Sequence, residues 1–230
     1  MEQHLTAEII SKEPLAPNVL DFRVRLVEPS AVVFKAGQFM IFDVGKTGRA
    51  YSIVSAPTDR LSELHFCIQI IPGGVGSTFV QGLKVGDSFT MRGPFGIFTV
   101  DDFERDAFFV ATGVGIAPFK AMITDMLARG YKRSVHLLFG LRQEADIFYH
   151  NDFVELSRQH PNFIFLPSFS QPSAAWQGLA GRVTSFLEQN YAQFGQCKFY
   201  VCGGRDMVKD TRTLLLERGY PPTDIKVEVF

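Results

Sequence analysis

Four apolar, strand-like runs in the second half of the 230-residue chain, at 107–112, 135–140, 163–166 and 197–202, begin 28, 28 and 34 residues apart. That interval is close to the length of one strand–helix–strand unit, so the runs read as parallel strands joined by helical crossovers. Between the first two, Phe119, Met122, Ile123, Met126 and Leu127 fall at i, i+3, i+4, i+7 and i+8, one face of a helix. Val183, Phe186 and Leu187 repeat that spacing before the fourth run. A parallel sheet flanked by helices is therefore expected after about residue 100.

The first half follows another rule. Its apolar runs, at 19–27, 38–44, 51–54, 64–71 and 88–91, are short and are broken by Pro14, Pro17, Pro29, Pro57, Pro72 and many glycines. Such spacing predicts antiparallel strands in a sandwich or barrel. Asp101, Asp102, Glu104 and Arg105 interrupt the apolar pattern at the join. Two domains are expected: an antiparallel β-barrel over residues 1–100 and an α/β domain over 101–230.

Charge and cysteine usage exclude several classes of function. Lysine and arginine number 23 against 24 acids, which leaves no net field to draw in nucleic acid or an anionic membrane, so neither is an expected partner. Cys67, Cys197 and Cys202 contain no CxxC pair and cannot by themselves assemble a disulfide framework, a zinc site or an iron–sulfur cluster. A reducing cytoplasm fits them best. Met1-Glu2-Gln3-His4 places an acid where a secretory leader has its basic region, and no apolar run approaches the ~20 residues that cross a bilayer. The five histidines lack metal-ligand spacing, so no metal is expected. His136, inside an apolar run, is expected to be a hydrogen-bonded core residue, and Arg129, Lys132 and Arg133 a solvated helix end.

Three stretches have the composition of phosphate sites. Thr112-Gly113-Val114-Gly115-Ile116-Ala117-Pro118 closes the first parallel strand and opens the helix after it. Glycines there let backbone approach a diphosphate, and free N–H groups at a helix start favour an anion, although Pro118 replaces the third glycine of the usual fingerprint. Arg49-Ala50-Tyr51-Ser52 lies on a strand whose alternation sends Arg49 and Tyr51 to one face and Ser52 to the other. Gly73-Gly74-Val75-Gly76-Ser77-Thr78 precedes a short helical segment.

Taken in order, Ala36-Gly37-Gln38-Phe39, Arg49 to Ser52, Gly76-Ser77-Thr78, Gly93-Pro94-Phe95-Gly96, Thr112 to Pro118 and Cys202-Gly203-Gly204 resemble the ferredoxin–NADP reductase-like flavoproteins over nearly the whole chain. The resemblance implies a flavin on the barrel and NAD(P)H on the α/β domain. It implies that Arg49 pairs with the flavin phosphate, that Tyr51 stacks on the isoalloxazine beside Ala50, and that Ser52 hydrogen-bonds near the reactive N5. Gly74, Val75, Gly76, Ser77 and Thr78 would hold the remaining pyrophosphate, favouring FAD over FMN. Thr112, Gly113, Val114, Gly115 and Pro118 would take the diphosphate of the nicotinamide nucleotide. Cys202, Gly203, Gly204 and Met207 would border the nicotinamide, with Cys202 beside its ring. Phe230 resembles the terminal aromatic that covers the flavin in plant-type members, and Glu228 the acid two places before it. Ser52, Cys202, Glu228 and Phe230 are thus the implied catalytic set.

The same resemblance bears on coenzyme and acceptor. NADP-dependent relatives place a cation after the third parallel strand, where this chain has Phe169-Ser170-Gln171-Pro172, so NADH is favoured; Arg142, after the second strand, keeps NADPH open. Electrons would then leave for a separate redox protein such as a ferredoxin or an oxygenase component. Two alternatives stand beside this: a flavin reductase that releases reduced flavin, and a relay subunit that works only inside a larger redox complex.

Overall fold

The computed structural model describes residues 3–57 and 61–230; Met1 and Glu2, which entered the leader argument, lie outside the described residues. The chain divides into two compact units, Met1–Val100 with Ala117–Asp125, and Asp101–Ile116 with Met126–Phe230.

The first unit holds β1 (Gln3–Ala16), β2 (Val19–Glu28), β3 (Phe39–Val44), β4 (Thr47–Ser52), β5 (Glu63–Gln69), α1 (Val75–Gly82) and β6 (Ser88–Phe95). The strands form one antiparallel sheet in the order β4-β3-β6-β1-β2-β5. A bridge between Ile53, directly after β4, and Phe66 of β5 brings the two sheet edges together and closes the barrel. Alternation fills its interior: Ala7, Ile9, Phe22, Val24, Met40, Phe42, Leu64, Phe66 and Met91 are all buried. β1 has no counterpart among the predicted apolar runs. Its Leu5, Ala7 and Ile9 alternate with His4, Thr6 and Glu8, so one face is buried without any continuous apolar stretch.

After β6 come β7 (Ala107–Thr112), a 3₁₀ turn (Gly113–Gly115) and α2 (Ile116–Ala128), the helix whose residues Ala117–Asp125 group with the first unit and whose ends group with the second. Then come β8 (Val135–Leu141), α3 (His150–Gln159), β9 (Phe163–Phe169), β10 (Leu179–Ala180), α4 (Val183–Asn190), β11 (Lys198–Gly203), α5 (Arg205–Glu217) and β12 (Ile225–Val229). The sheet is parallel throughout, in the order β10-β9-β8-β7-β11-β12. Strand order reverses between β7 and β11, and crevices for ligands open at the carboxyl ends of strands at such a reversal. At the opposite edge, Arg105 donates to both Asp224 carboxylate oxygens at 2.8 and 2.9 Å and to Asp102 at 2.7 Å, tying the approach to β7 to the approach to β12.

The predicted face of α2 is buried, and Ala117 and Ala121 join it. Cys67 and Cys197 are small buried residues without disulfides. His136 departs from expectation. Its ring stacks on Phe108, centroids 5.4 Å apart and planes at 11°, and meets Phe194, with no hydrogen-bond acceptor among the described residues. Aromatic neighbours desolvate it and push its pKa down, so the neutral ring packs as an aromatic residue.

Candidate functional site

Each unit carries one cluster of the residues singled out from sequence. In the first, β4 presents Arg49 and Tyr51 toward the start of α1, and Gly76 lies so close to both that a Cβ there would collide with the Tyr51 hydroxyl and come within 3.1 Å of Arg49 Cγ. The N-cap, Gly74, supplies no side-chain cap. The first intrahelical bond runs from the Thr78 N–H to the Gly74 carbonyl at 2.8 Å, which leaves the N–H groups of Val75, Gly76 and Ser77 without acceptors among the described residues. Arg49 donates to the Gly48 carbonyl at 2.7 Å and has no carboxylate partner among the described residues. An unmatched guanidinium beside three open amides has the chemistry that a phosphate group requires.

The hydroxyl of Ser77 turns the other way. It accepts from the Ile71 N–H at 2.8 Å and so braces the glycine loop, while the residue's amide faces the helix start. Burial pushes the Tyr51 phenol up, against the smaller opposing effect of Arg49, and its ring packs 4.6 Å from Phe42. Ala50 is exposed on the same strand, and Ser52 is buried. Gln38, quoted in the resemblance without a role, ties two motifs together: its side chain donates to the Gly96 carbonyl at 3.1 Å and accepts from the Lys35 N–H at 2.8 Å.

In the second unit, the 3₁₀ turn after β7 lies against the end of β11. A Cβ on Gly115 would collide with the Cys202 carbonyl and stand 2.8 Å from Gly203 Cα, so only glycine allows this approach. Gly113 has φ +54° with open space where a side chain would be. Gly204 begins α5 as another N-cap without a side-chain cap, and its N–H reaches Thr112 Oγ1 at 3.4 Å. Met207, on the first turn of α5, lies where a Cβ on Gly203 would stand, 2.8 Å from its Cε. Pro118 occupies the third position of α2, where its missing N–H breaks no intrahelical bond. The uncapped start of α5 and the Gly113–Gly115 turn thus meet at the strand-order reversal, which suits the diphosphate of a dinucleotide.

Cys202 faces Glu228 across β11 and β12, in register. Burial holds the Cys202 thiol well above its ordinary range, so it stays neutral. Desolvation raises the Glu228 carboxyl to about 7, and the group has no hydrogen-bond or ion-pair partner among the described residues. Phe230 is half exposed and donates its N–H to the Gly203 carbonyl at 3.2 Å, fixing the chain end at this edge. Arg142 and Ser170 lie at the ends of β8 and β9, where Arg142 Nε donates to Gln171 Oε1 at 3.0 Å. Glu144, which sequence reasoning passed over, accepts from the Ser173 N–H and hydroxyl at 3.0 and 2.6 Å. That tie joins residues 29 apart and leaves no local sequence signal.

No group of three or more His, Cys, Asp or Glu among the described residues could hold a metal. No helix among them is long and apolar enough to cross a membrane.

Residues 6–100 match the family model of the oxidoreductase FAD-binding domain, and residues 109–213 that of the oxidoreductase NAD-binding domain. The chain is 33% identical over 223 residues to the reductase component of phenol 2-monooxygenase from Pseudomonas sp. (strain CF600), covering 94% of this chain and 62% of that protein. It therefore spans less than two thirds of that relative's length. It is 30% identical to ferredoxin–NADP reductase B of Sorangium cellulosum, covering 96% of both. A ferredoxin–NADP reductase of Neisseria gonorrhoeae, solved with bound FAD and NADP, superposes with a TM-score of 0.85 at 26% identity over 98% of both chains.

Proposed function

This chain belongs to the ferredoxin–NADP reductase-like flavoprotein oxidoreductases, and from that premise we propose that it takes hydride from NAD(P)H, with NADH favoured, onto bound FAD and passes electrons to a separate acceptor. One observation supports the reading: the same chain brings Arg49 and Tyr51 to the glycine start of α1 and packs a glycine turn against Cys202 at a strand-order reversal. Relatives named as an oxygenase reductase component and as a ferredoxin–NADP reductase support a redox protein, a ferredoxin or an oxygenase component, as the acceptor.

A bound flavin supplies hydride acceptance and one-electron release, chemistry that no side chain here can perform. The residues bind and orient. Residues 1–100 are read as the FAD-binding domain, with Arg49 and the amides of Val75, Gly76 and Ser77 neutralising the diphosphate and Tyr51 supplying the aromatic surface. Ser52 would offer a hydroxyl to the reactive ring edge. Residues 101–230 are read as the NAD(P)-binding domain, with Thr112, Gly113, Val114 and Gly115 beneath the coenzyme diphosphate. Neutral Cys202 and the terminal Phe230 would border the nicotinamide as apolar surfaces that exclude water, Phe230 acting as the cover that moves aside. Hydride transfer needs no general base, so Glu228 is assigned polar contact near the ring and no proton transfer.

A cytoplasmic location is inferred from cysteine usage, three cysteines that contain no CxxC pair. Steady-state reduction of a soluble dye by the FAD-loaded protein tests the whole reading. NADH-driven turnover without other proteins supports an autonomous reductase; dye reduction absent under saturating NADH contradicts it.

A further inference from the structure

Beyond the carboxyl ends of β8 and β9 the chain keeps pairing, residue by residue. Ser170 N–H donates to the Leu141 carbonyl at 3.0 Å and Gln171 N–H to the Arg142 carbonyl at 2.8 Å. Ser173 N–H and hydroxyl then donate to the Glu144 carboxylate. The two loops form one braced rim, in which Arg142 meets Gln171 and Glu144 meets Ser173, at the same carboxyl edge of the sheet as the Gly113–Gly115 turn. This rim lies on the far side of β7 from Cys202. A dinucleotide whose diphosphate rests on that turn, and whose nicotinamide lies toward β11, has its adenosine half over β8 and β9, since neighbouring strands stand only about 4.8 Å apart.

The chemistry of this rim is unequal toward the two coenzymes. The Arg142 guanidinium is engaged by the Gln171 side-chain carbonyl. Glu144 is immobilised as an acceptor, and the bonds from Ser173 that hold it also lower its pKa, so it carries a fixed negative charge at neutral pH. A carboxylate accepts a hydrogen bond from a ribose 2′-hydroxyl and repels a 2′-phosphate.

Building on the function proposed above, we propose that Glu144, held by Ser173, is the residue by which this chain rejects the 2′-phosphate and so selects NADH over NADPH.

Calorimetric titration of the full-length protein with ADP and with 2′-phosphorylated ADP tests this by binding alone. The unaltered protein should bind ADP more tightly. Glu144→Gln keeps an acceptor for Ser173 but removes the charge, and should shift the ratio of the two affinities roughly tenfold toward the 2′-phosphorylated ligand, the effect of one unit charge facing a dianion a few ångström away in water-like surroundings. Ser173→Ala, which frees the carboxylate, should shift it in the same direction by less. An unchanged ratio in Glu144→Gln, or tighter binding of the 2′-phosphorylated ligand by the unaltered protein, overturns the inference. Absence of binding by either ligand overturns it together with the function reading. A shifted ratio in a protein that NADH does not reduce upholds the role of Glu144 and overturns the function reading alone.

Discussion

Cys202 and Glu228 are register partners on adjacent parallel strands at the edge where the glycine turn lies. Burial keeps the thiol neutral and raises the carboxyl to about 7, so this edge carries little fixed charge below neutral pH.

The raised Glu228 carboxyl has a consequence for stability. The folded protein keeps this proton up to a pH of about 7, whereas the unfolded chain releases it near pH 4.3. Folded protein binds more protons in that window, so the group lowers stability as pH rises through it, with no penalty below and the full penalty above. Glu228→Gln should therefore melt about 2–4 °C higher at pH 8.5, for roughly 1 kcal/mol in a partly solvated group, and show no gain at pH 4. Thermal scans at the two pH values check this; an equal shift at both would show that the carboxyl is not desolvated.

Arg49 is expected to carry flavin retention. Arg49→Ala removes a guanidinium with no carboxylate partner among the described residues, so the barrel loses no internal ion pair. A lost charge-assisted contact of about 1.5–3 kcal/mol corresponds to roughly 10–100-fold weaker FAD binding. Fluorescence titration of the apoprotein with FAD measures it, and unaltered affinity would move the phosphate seat elsewhere.

Gly115→Ala places a methyl group against backbone atoms of β11, including Gly203 Cα at 2.8 Å, which cannot give as a flexible side chain would. A loss of about 1–3 kcal/mol is expected, together with weakened NADH binding, because the turn must lift away from β11. A melting curve within 1 °C of the unaltered protein, a small fraction of the expected drop, would show that the two segments are not packed as described.

The terminal aromatic gives a fourth expectation. Phe230 is half exposed at an edge bordered by Cys202 and Gly203, a surface placement that packing of its own unit does not require. Deleting it should leave the melting temperature nearly unchanged while altering the flavin spectrum and relaxing coenzyme discrimination. If the ratio of kcat/KM for NADH and NADPH stays the same, the cover role is wrong.

The parts of the fold legible in the sequence were those with a strong period. β7 coincides with its predicted run because a strand buried on both faces reads as unbroken apolar sequence. β1 was hidden by one-faced burial, and α3, whose only buried residue is Phe153, has too thin an apolar stripe to register. At the site, strand alternation placed Arg49 and Tyr51 together, but the landing of α1 on them depends on Gly76 and is tertiary. The hydroxyl of Ser77 is drawn into its own loop, and the Glu144–Ser173 tie spans a whole crossover, α3 and β9. None of these is visible in local spacing.

The most direct test of the central claim is the visible spectrum of the purified, FAD-loaded protein during anaerobic titration with NADH and, on a fresh sample, NADPH. The account expects flavin absorption bleached by stoichiometric NADH and less readily by NADPH. Retained flavin whose absorption neither coenzyme changes would contradict it.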